Sequence, residues 1–160
     1  MSEMTDINKE SINLLNDLIE TSKDGQKGFE TSAEDIKNPA IKQFFQTRAS
    51  DCASAVTELQ AEVRALGGDP ETSSSVSGTL HRAWVDLKSL VTGKSDEAIL
   101  NEVERGEDVA LKAYKDARQK AVEKSLPANV TGLIDRQLQG AQANHDKVKA
   151  LRDQVRAANH

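Results

Sequence analysis

Glu107 and His145 carry the chemistry of this 160-residue sequence, because each falls on an otherwise apolar helical stripe. Glu107 lies within EVERGEDVALKAYKD (102–116), and His145 lies within QANHDKVKALR (142–152). An acid and an imidazole on the core faces of two long helices do one of two things. They form a hydrogen-bonded network that fixes helix register, or they hold a metal ion. A buried charge is costly unless paired. In the first reading Arg48 is therefore the natural partner of Glu107, and His145 takes the remaining carboxylate oxygen. In the second reading Glu107, His145, Asp51 and Glu104 are the metal ligands. Arg48, Cys52, Ser22 and Gln142 complete the polar core layer in either case.

The elements that must position these residues follow from hydrophobic period. Residues 5–37 read as one helix, with Ser11, Leu14, Leu15, Leu18, Ser22, Gly25, Phe29, Ala33 and Ile36 on one face at about 100° per residue. Gly25 and Gly28 weaken it by roughly 1 kcal/mol each relative to Ala, which is expected where a neighbouring helix approaches closely. Asn38-Pro39 breaks the chain and restarts it: Asn caps, and Pro suits the first helical position because its missing N–H costs nothing there. The second helix runs over 39–66 with the stripe Ile41, Phe44/Phe45, Arg48, Cys52, Ala55, Leu59, Val63 and Leu66, and Gly67-Gly68 ends it. Residues 67–78 are a flexible connection. A short amphipathic helix follows at 79–91, with Trp84 packing it onto the rest. Ser95 caps a third long helix at 96–124, whose stripe is Ile99, Leu100, Val103, Glu107, Ala110, Leu111, Tyr114 and Ala121. Leu126-Pro127 is the second sharp break. The fourth helix covers 127–157 with Val130, Ile134, Leu138, Ala141, His145, Val148, Arg152 and Val155.

The very short 1–2 and 3–4 connections make those pairs antiparallel, while the long 2–3 connection runs the length of the bundle and leaves helices 2 and 3 parallel. The expected fold is all-α, an up-down-down-up four-helix bundle with one long crossover, as a single domain over 1–160. Counting from the breaks places the polar residues at one height. Glu107 precedes Leu126 by 19 residues and His145 follows it by 19; Ser22 and the Arg48/Cys52 pair fall at about the same level.

Composition narrows the function classes. Lys+Arg total 21 against 26 Asp+Glu, a formal net charge of −5 with both signs interspersed, which argues against nucleic-acid or anionic-membrane surfaces. No apolar run approaches the ~18–20 residues of a membrane span. The polar, acidic start MSEMTDINKES lacks the features of a secretory signal. Cys52 is the one cysteine, so no intrachain disulfide forms and a reducing cytoplasm is the expected location. Ile12, Leu15 and Ile19 widen the apolar face of helix 1. They either cover the crossover helix or form a homodimer interface, and no protein partner is legible.

The stretches LNDLIETSKDGQKGF, ELQAEVRALGGDP, LHRAWVDLKS, ILNEVERGEDVALKAY and NHDKVKALRD resemble the ferritin-like four-helix-bundle bacterial proteins of unknown function, a domain-of-unknown-function family distantly related to rubrerythrin and bacterioferritin. The resemblance covers about residues 6–154. It implies a ferritin-like fold and a small cytoplasmic protein linked with stress responses. The wider superfamily's chemistry is oxidation at two carboxylate-bridged irons, held by a Glu from each of two helices and Glu-x-x-His from the other two. Carried over by position, Glu107 and His145 match and Asp51 matches in part. Gln142 stands where the helix-4 acid belongs, and Ser54 stands where the helix-2 imidazole belongs. The first expectation is therefore a non-enzymatic, stress-associated bundle whose Arg–Glu–His layer replaces a di-metal centre, with no cofactor. The alternative is an iron- or manganese-binding carboxylate protein with oxidase or peroxidase-type activity.

Overall fold

A computed structural model describes residues 5–70 and 95–159 of the chain. Four long helices make up nearly all of the described residues: α1 (Asp6–Asp35), α2 (Pro39–Ala65), α3 (Asp96–Glu123) and α4 (Ala128–Ala158). The crossover helix expected at 79–91, with Trp84, lies outside the described residues.

Local chemistry sets the helix ends. Thr5 Oγ1 accepts from the Asn8 N–H at 3.1 Å, Asn38 Oδ1 accepts from Ala40 and Ile41, and Ser95 Oγ accepts from Ala98. Each such cap stabilises a helix by about 1 kcal/mol. α2 ends in a Schellman turn, with the Gly68 N–H on Val63 O and the Gly67 N–H on Arg64 O; Gly67 supplies the required left-handed backbone at φ 86°. α3 ends in the same way, but its left-handed residue is Ser125, at φ 52°.

Three pairs of side-chain contacts define the topology. Asp96, at the start of α3, accepts the backbone N–H groups of Lys37 and Asn38 at the α1–α2 turn. Ser22 of α1 meets Tyr114 in α3, and Glu10 meets Lys124 just past its end. α1 and α3 are therefore antiparallel neighbours. Glu62 accepts from Asn129, and Glu58 pairs with Arg136, so α2 and α4 are antiparallel neighbours too. The parallel helices α2 and α3 face each other across the diagonal. This is the up-down-down-up, ferritin-like bundle, all-α among the described residues.

The core is not continuous. One apolar cluster joins Leu15, Leu18 and Ile19 to Leu59, Val63, Tyr114, Val130 and Ile134. A second, at the other end, joins Phe29, Phe45, Ile99, Leu100, Val103 and Val148. A polar layer separates them. Ile12, Leu15 and Ile19, the residues that widen the apolar face of α1, are all buried. No described helix is long and apolar enough to cross a membrane.

Candidate functional site

The gap between the two apolar clusters is a cavity of about 240 Å³ to which all four helices contribute. α1 brings Ser22 and Gly25, and α2 brings Arg48, Asp51 and Cys52. Glu107 and Tyr114 enter from α3, Gln137 and Asn144 from α4. α1 and α2 approach closely at Gly25, where a Cβ would be in contact with Cys52 Sγ at 3.4 Å.

At the centre stands an ion pair. Arg48 Nη2 donates to Glu107 Oε1 at 3.4 Å, and both residues are buried, at 7% and 3% exposure. Arg48 Nη1 donates to the exposed Asp51 at 3.3 Å, and the guanidinium carbon lies 5.2 Å from the centre of the Phe29 ring. Arg48 Nε is buried and has no hydrogen-bond partner among the described residues. Burial pushes the Glu107 carboxyl above the ordinary carboxylate value, while the charge and hydrogen bond of Arg48 act against that rise. Burial also pushes the Cys52 thiol up, to about 11, with the Arg48 charge opposing.

A second polar chain crosses the bundle two helical turns away. Tyr114 OH donates to Gln137 Oε1 at 2.7 Å, which uses its one hydrogen, so Ser22 Oγ is the donor in its 3.1 Å bond to Tyr114. Gln137 Nε2 then donates to Glu58 at 3.2 Å, and Glu58 pairs with Arg136 at 2.8 Å. Four helices are thus joined by consecutive hydrogen bonds. Burial pushes the Tyr114 phenol up to about 12.

His145 is at the expected height but on a different face. Its Nε2 meets Asp108 and its Nδ1 lies 3.4 Å from Asp146, so its bonds do not go to Glu107. The cause is helical phase. The inward stripe of α4 runs Val130, Ile134, Gln137, Ala141, Asn144 and Val148, steps of four and three alternating as in other bundles. Stepping four from Ala141 reaches His145, whereas the structure steps three and reaches Asn144. Gln142 is displaced in the same sense. It donates to Asp146 at 3.0 Å on the exposed side of α4 and takes no part in the core layer. Glu104 also lies outside that layer, half-buried and paired with Arg152. Gln137 and Asn144 are cavity residues that the sequence stripe passes over.

These displaced residues form a polar ladder between α3 and α4. Glu97 meets Arg156, Glu104 meets Arg152, and Asp108 meets His145. Within it the ligand atoms of Glu104, Asp108 and His145 all lie within 4.8 Å of one another. No other such trio of His, Cys, Asp or Glu occurs among the described residues. Burial works against charging the His145 ring, but its bonds to Asp108 and Asp146 prevail and hold its pKa above the ordinary imidazole value.

The core layer does not match the donor set of a dinuclear carboxylate centre. Such a centre draws carboxylates and imidazoles from four helices. Here the group facing Glu107 is a guanidinium, α1 offers Ser22 and Gly25, and α4 offers two neutral amides. A unit charge at 4 Å from Arg48 is opposed by about 4 kcal/mol at an effective dielectric of 20, and a dication by twice that.

Four long helices in up-down-down-up order and a polar mid-bundle layer define a ferritin-like bundle whose central layer is built around an ion pair. The chain belongs to the family described as a domain of unknown function (DUF2383), whose model matches residues 10–120. No curated protein sequence matches it. Among solved structures it is similar to the bacterioferritin of Desulfovibrio desulfuricans, a protein with a diiron site, at TM-score 0.78 and 16% identity, over 98% of this chain and 86% of that one. A ferritin-like, diiron-carboxylate protein from Bacillus anthracis str. Ames matches at TM-score 0.71 and 16% identity, over 93% of this chain and 99% of that one. A DPS protein from Vibrio cholerae O1, of the same broad superfamily, matches at 0.72 and 14% identity, over 91% of this chain and 90% of that one. At these identities the likeness concerns the fold.

Proposed function

We propose that this protein is a non-enzymatic ferritin-like bundle in which the Arg48–Glu107 pair, rather than a dinuclear metal centre, holds the central polar layer. The observation that carries this reading is the buried guanidinium 3.4 Å from the one buried carboxylate of α3. Arg48 supplies the positive charge that Glu107 needs, and it does so without an ion. The role that follows is structural and associative, a cytoplasmic, stress-associated module. The resemblance to ferritin-like bacterial proteins supports that last attribution.

The test is metal analysis of protein purified without chelator, followed by anaerobic Fe(II) addition and exposure to air. The expected result is no Fe(II) oxidation above the buffer rate and no metal whose retention depends on Glu107. Oxidation of about two Fe(II) per chain that disappears in Glu107→Gln would replace this reading with an iron- or manganese-dependent oxidase or peroxidase-type protein.

A further inference from the structure

We infer that Glu104, Asp108 and His145 form a mononuclear site for a first-row divalent cation in the α3–α4 groove, separate from the central layer. The spacing comes from the helices. Residues 104 and 108 are one turn apart on α3 and present two carboxylates on one face. α4 runs antiparallel alongside and brings His145 opposite them. The three ligand atoms lie within 4.8 Å of one another. Ligands bound at about 2.0–2.2 Å in a tetrahedral set lie about 3.3–3.6 Å apart, so side-chain rotations that shift the ligand atoms by about 1 Å close the set.

The donors select the ion. Two carboxylate oxygens and one imidazole nitrogen form a mixed hard and borderline set, suited to Zn(II) or Mn(II). Three protein ligands leave further positions for water. The surroundings are arranged as such sites require. His145 Nδ1 faces Asp146, which turns Nε2 toward the two carboxylates, and Gln142 holds Asp146 in turn with a 3.0 Å hydrogen bond. A carboxylate behind a ligating imidazole fixes its orientation and raises its basicity. Arg152 contacts Glu104 through Oε2, which leaves Oε1 to turn toward the ion. Glu104, Asp108 and Asp146 set three negative charges against the one positive charge of Arg152, which leaves the groove with the net negative charge that a dication requires.

Titration of metal-stripped full-length protein with Zn(II) and, separately, Mn(II) by calorimetry tests this. One ion of at least one of the two metals is expected per chain. His145→Ala and Asp108→Asn should each abolish the binding heat, and Asp146→Asn should weaken affinity by about 10–100-fold, as orienting partners do. Asp51→Asn, which alters an exposed carboxylate at the central cavity, should leave it unchanged. Circular dichroism melts confirm that each variant folds; Asp108 is exposed and His145 half-buried. Unchanged binding in both His145→Ala and Asp108→Asn would overturn the inference, as would no binding of either metal by the wild type. Binding lost in Asp51→Asn or Glu107→Gln but kept in His145→Ala would instead place the ion in the core and overturn the proposed function as well.

Discussion

Arg48 Nη2 and Glu107 Oε1 lie 3.4 Å apart across the bundle diagonal, joining the two parallel helices where the apolar core is interrupted. Two buried opposite charges of this kind act asymmetrically. Removing one strands the other, whereas replacing both restores an apolar layer. Arg48→Met should therefore destabilise the protein by about 3–5 kcal/mol. The double change Arg48→Met with Glu107→Leu should recover most of that loss. Urea denaturation of the three proteins measures it. A double variant as unstable as the single one would show that the pair contributes packing that apolar side chains cannot replace.

The same carboxylate predicts a pH dependence. Burial raises the folded pKa of Glu107 above its unfolded value near 4.5, despite Arg48. The native chain then holds this proton more tightly than the unfolded chain. The corresponding stability is fully present below the unfolded pKa and is lost as pH rises through the folded value. Glu107→Gln is neutral at every pH and lacks that loss. The stability of wild type minus that of Glu107→Gln should accordingly decline as pH rises from 4.5. A difference that grows with pH across this window would contradict the assignment of the shift to burial.

Much of the fold was legible in the sequence, while the azimuth of the site was not. Asn38-Pro39 and Leu126-Pro127 mark two tight reversals because Pro excludes continuation of the preceding helix. The interval between Leu66 and Ser95 is long enough for a connection of bundle length. The tight reversals make the 1–2 and 3–4 pairs antiparallel, and the long interval allows α2 and α3 to run parallel. The level of Glu107 and His145 also followed from counting. Side-chain direction did not, because a step of four taken where the bundle takes three turns the stripe by one residue, about 100°. That error substitutes His145 for Asn144 on α4. A signal was nevertheless present: Glu97, Glu104 and Asp108 on α3 against His145, Arg152 and Arg156 on α4 are opposite charges along two antiparallel helices.

Cys52 and Tyr114 are the one cysteine and the one tyrosine in the sequence, so each reports on the central layer without interference. With its thiol pushed up from 9.0 to about 11, Cys52 has roughly a hundredfold less thiolate near neutral pH than a free thiol. Its reaction with a disulfide reagent should be slower, by about tenfold from this shift alone once the greater nucleophilicity of a more basic thiolate is counted, and become fast on unfolding. Tyr114, pushed up to about 12, should show no phenolate absorbance at the ordinary tyrosine value of 10.0. Cysteine reactivity equal to that of a small thiol, or a tyrosine titrating at its ordinary value, would indicate that the cavity is open to bulk water.

Ser125 offers a stabilising substitution away from the site. It sits at the left-handed position of the turn ending α3, at φ 52°, where an L side chain costs roughly 1–2 kcal/mol. Gly67 occupies the equivalent position after α2 without that cost. Ser125 is exposed, and its backbone N–H already bonds to Val122 O, so a change there alters only the Cβ and hydroxyl. Ser125→Gly should raise stability by about 0.5–1 kcal/mol, the relief of strain being partly offset by the greater freedom of glycine in the unfolded chain. Gly132→Ala in α4 should add a similar amount for the opposite reason, since a Cβ there meets nothing within 4 Å and the helix gains propensity. The two sites lie in different elements with no shared partner, so the increments should add. Thermal melts of the two single variants and the double variant test this, and a destabilised Ser125→Gly would mean that the Ser125 side chain makes a contact outweighing its backbone strain.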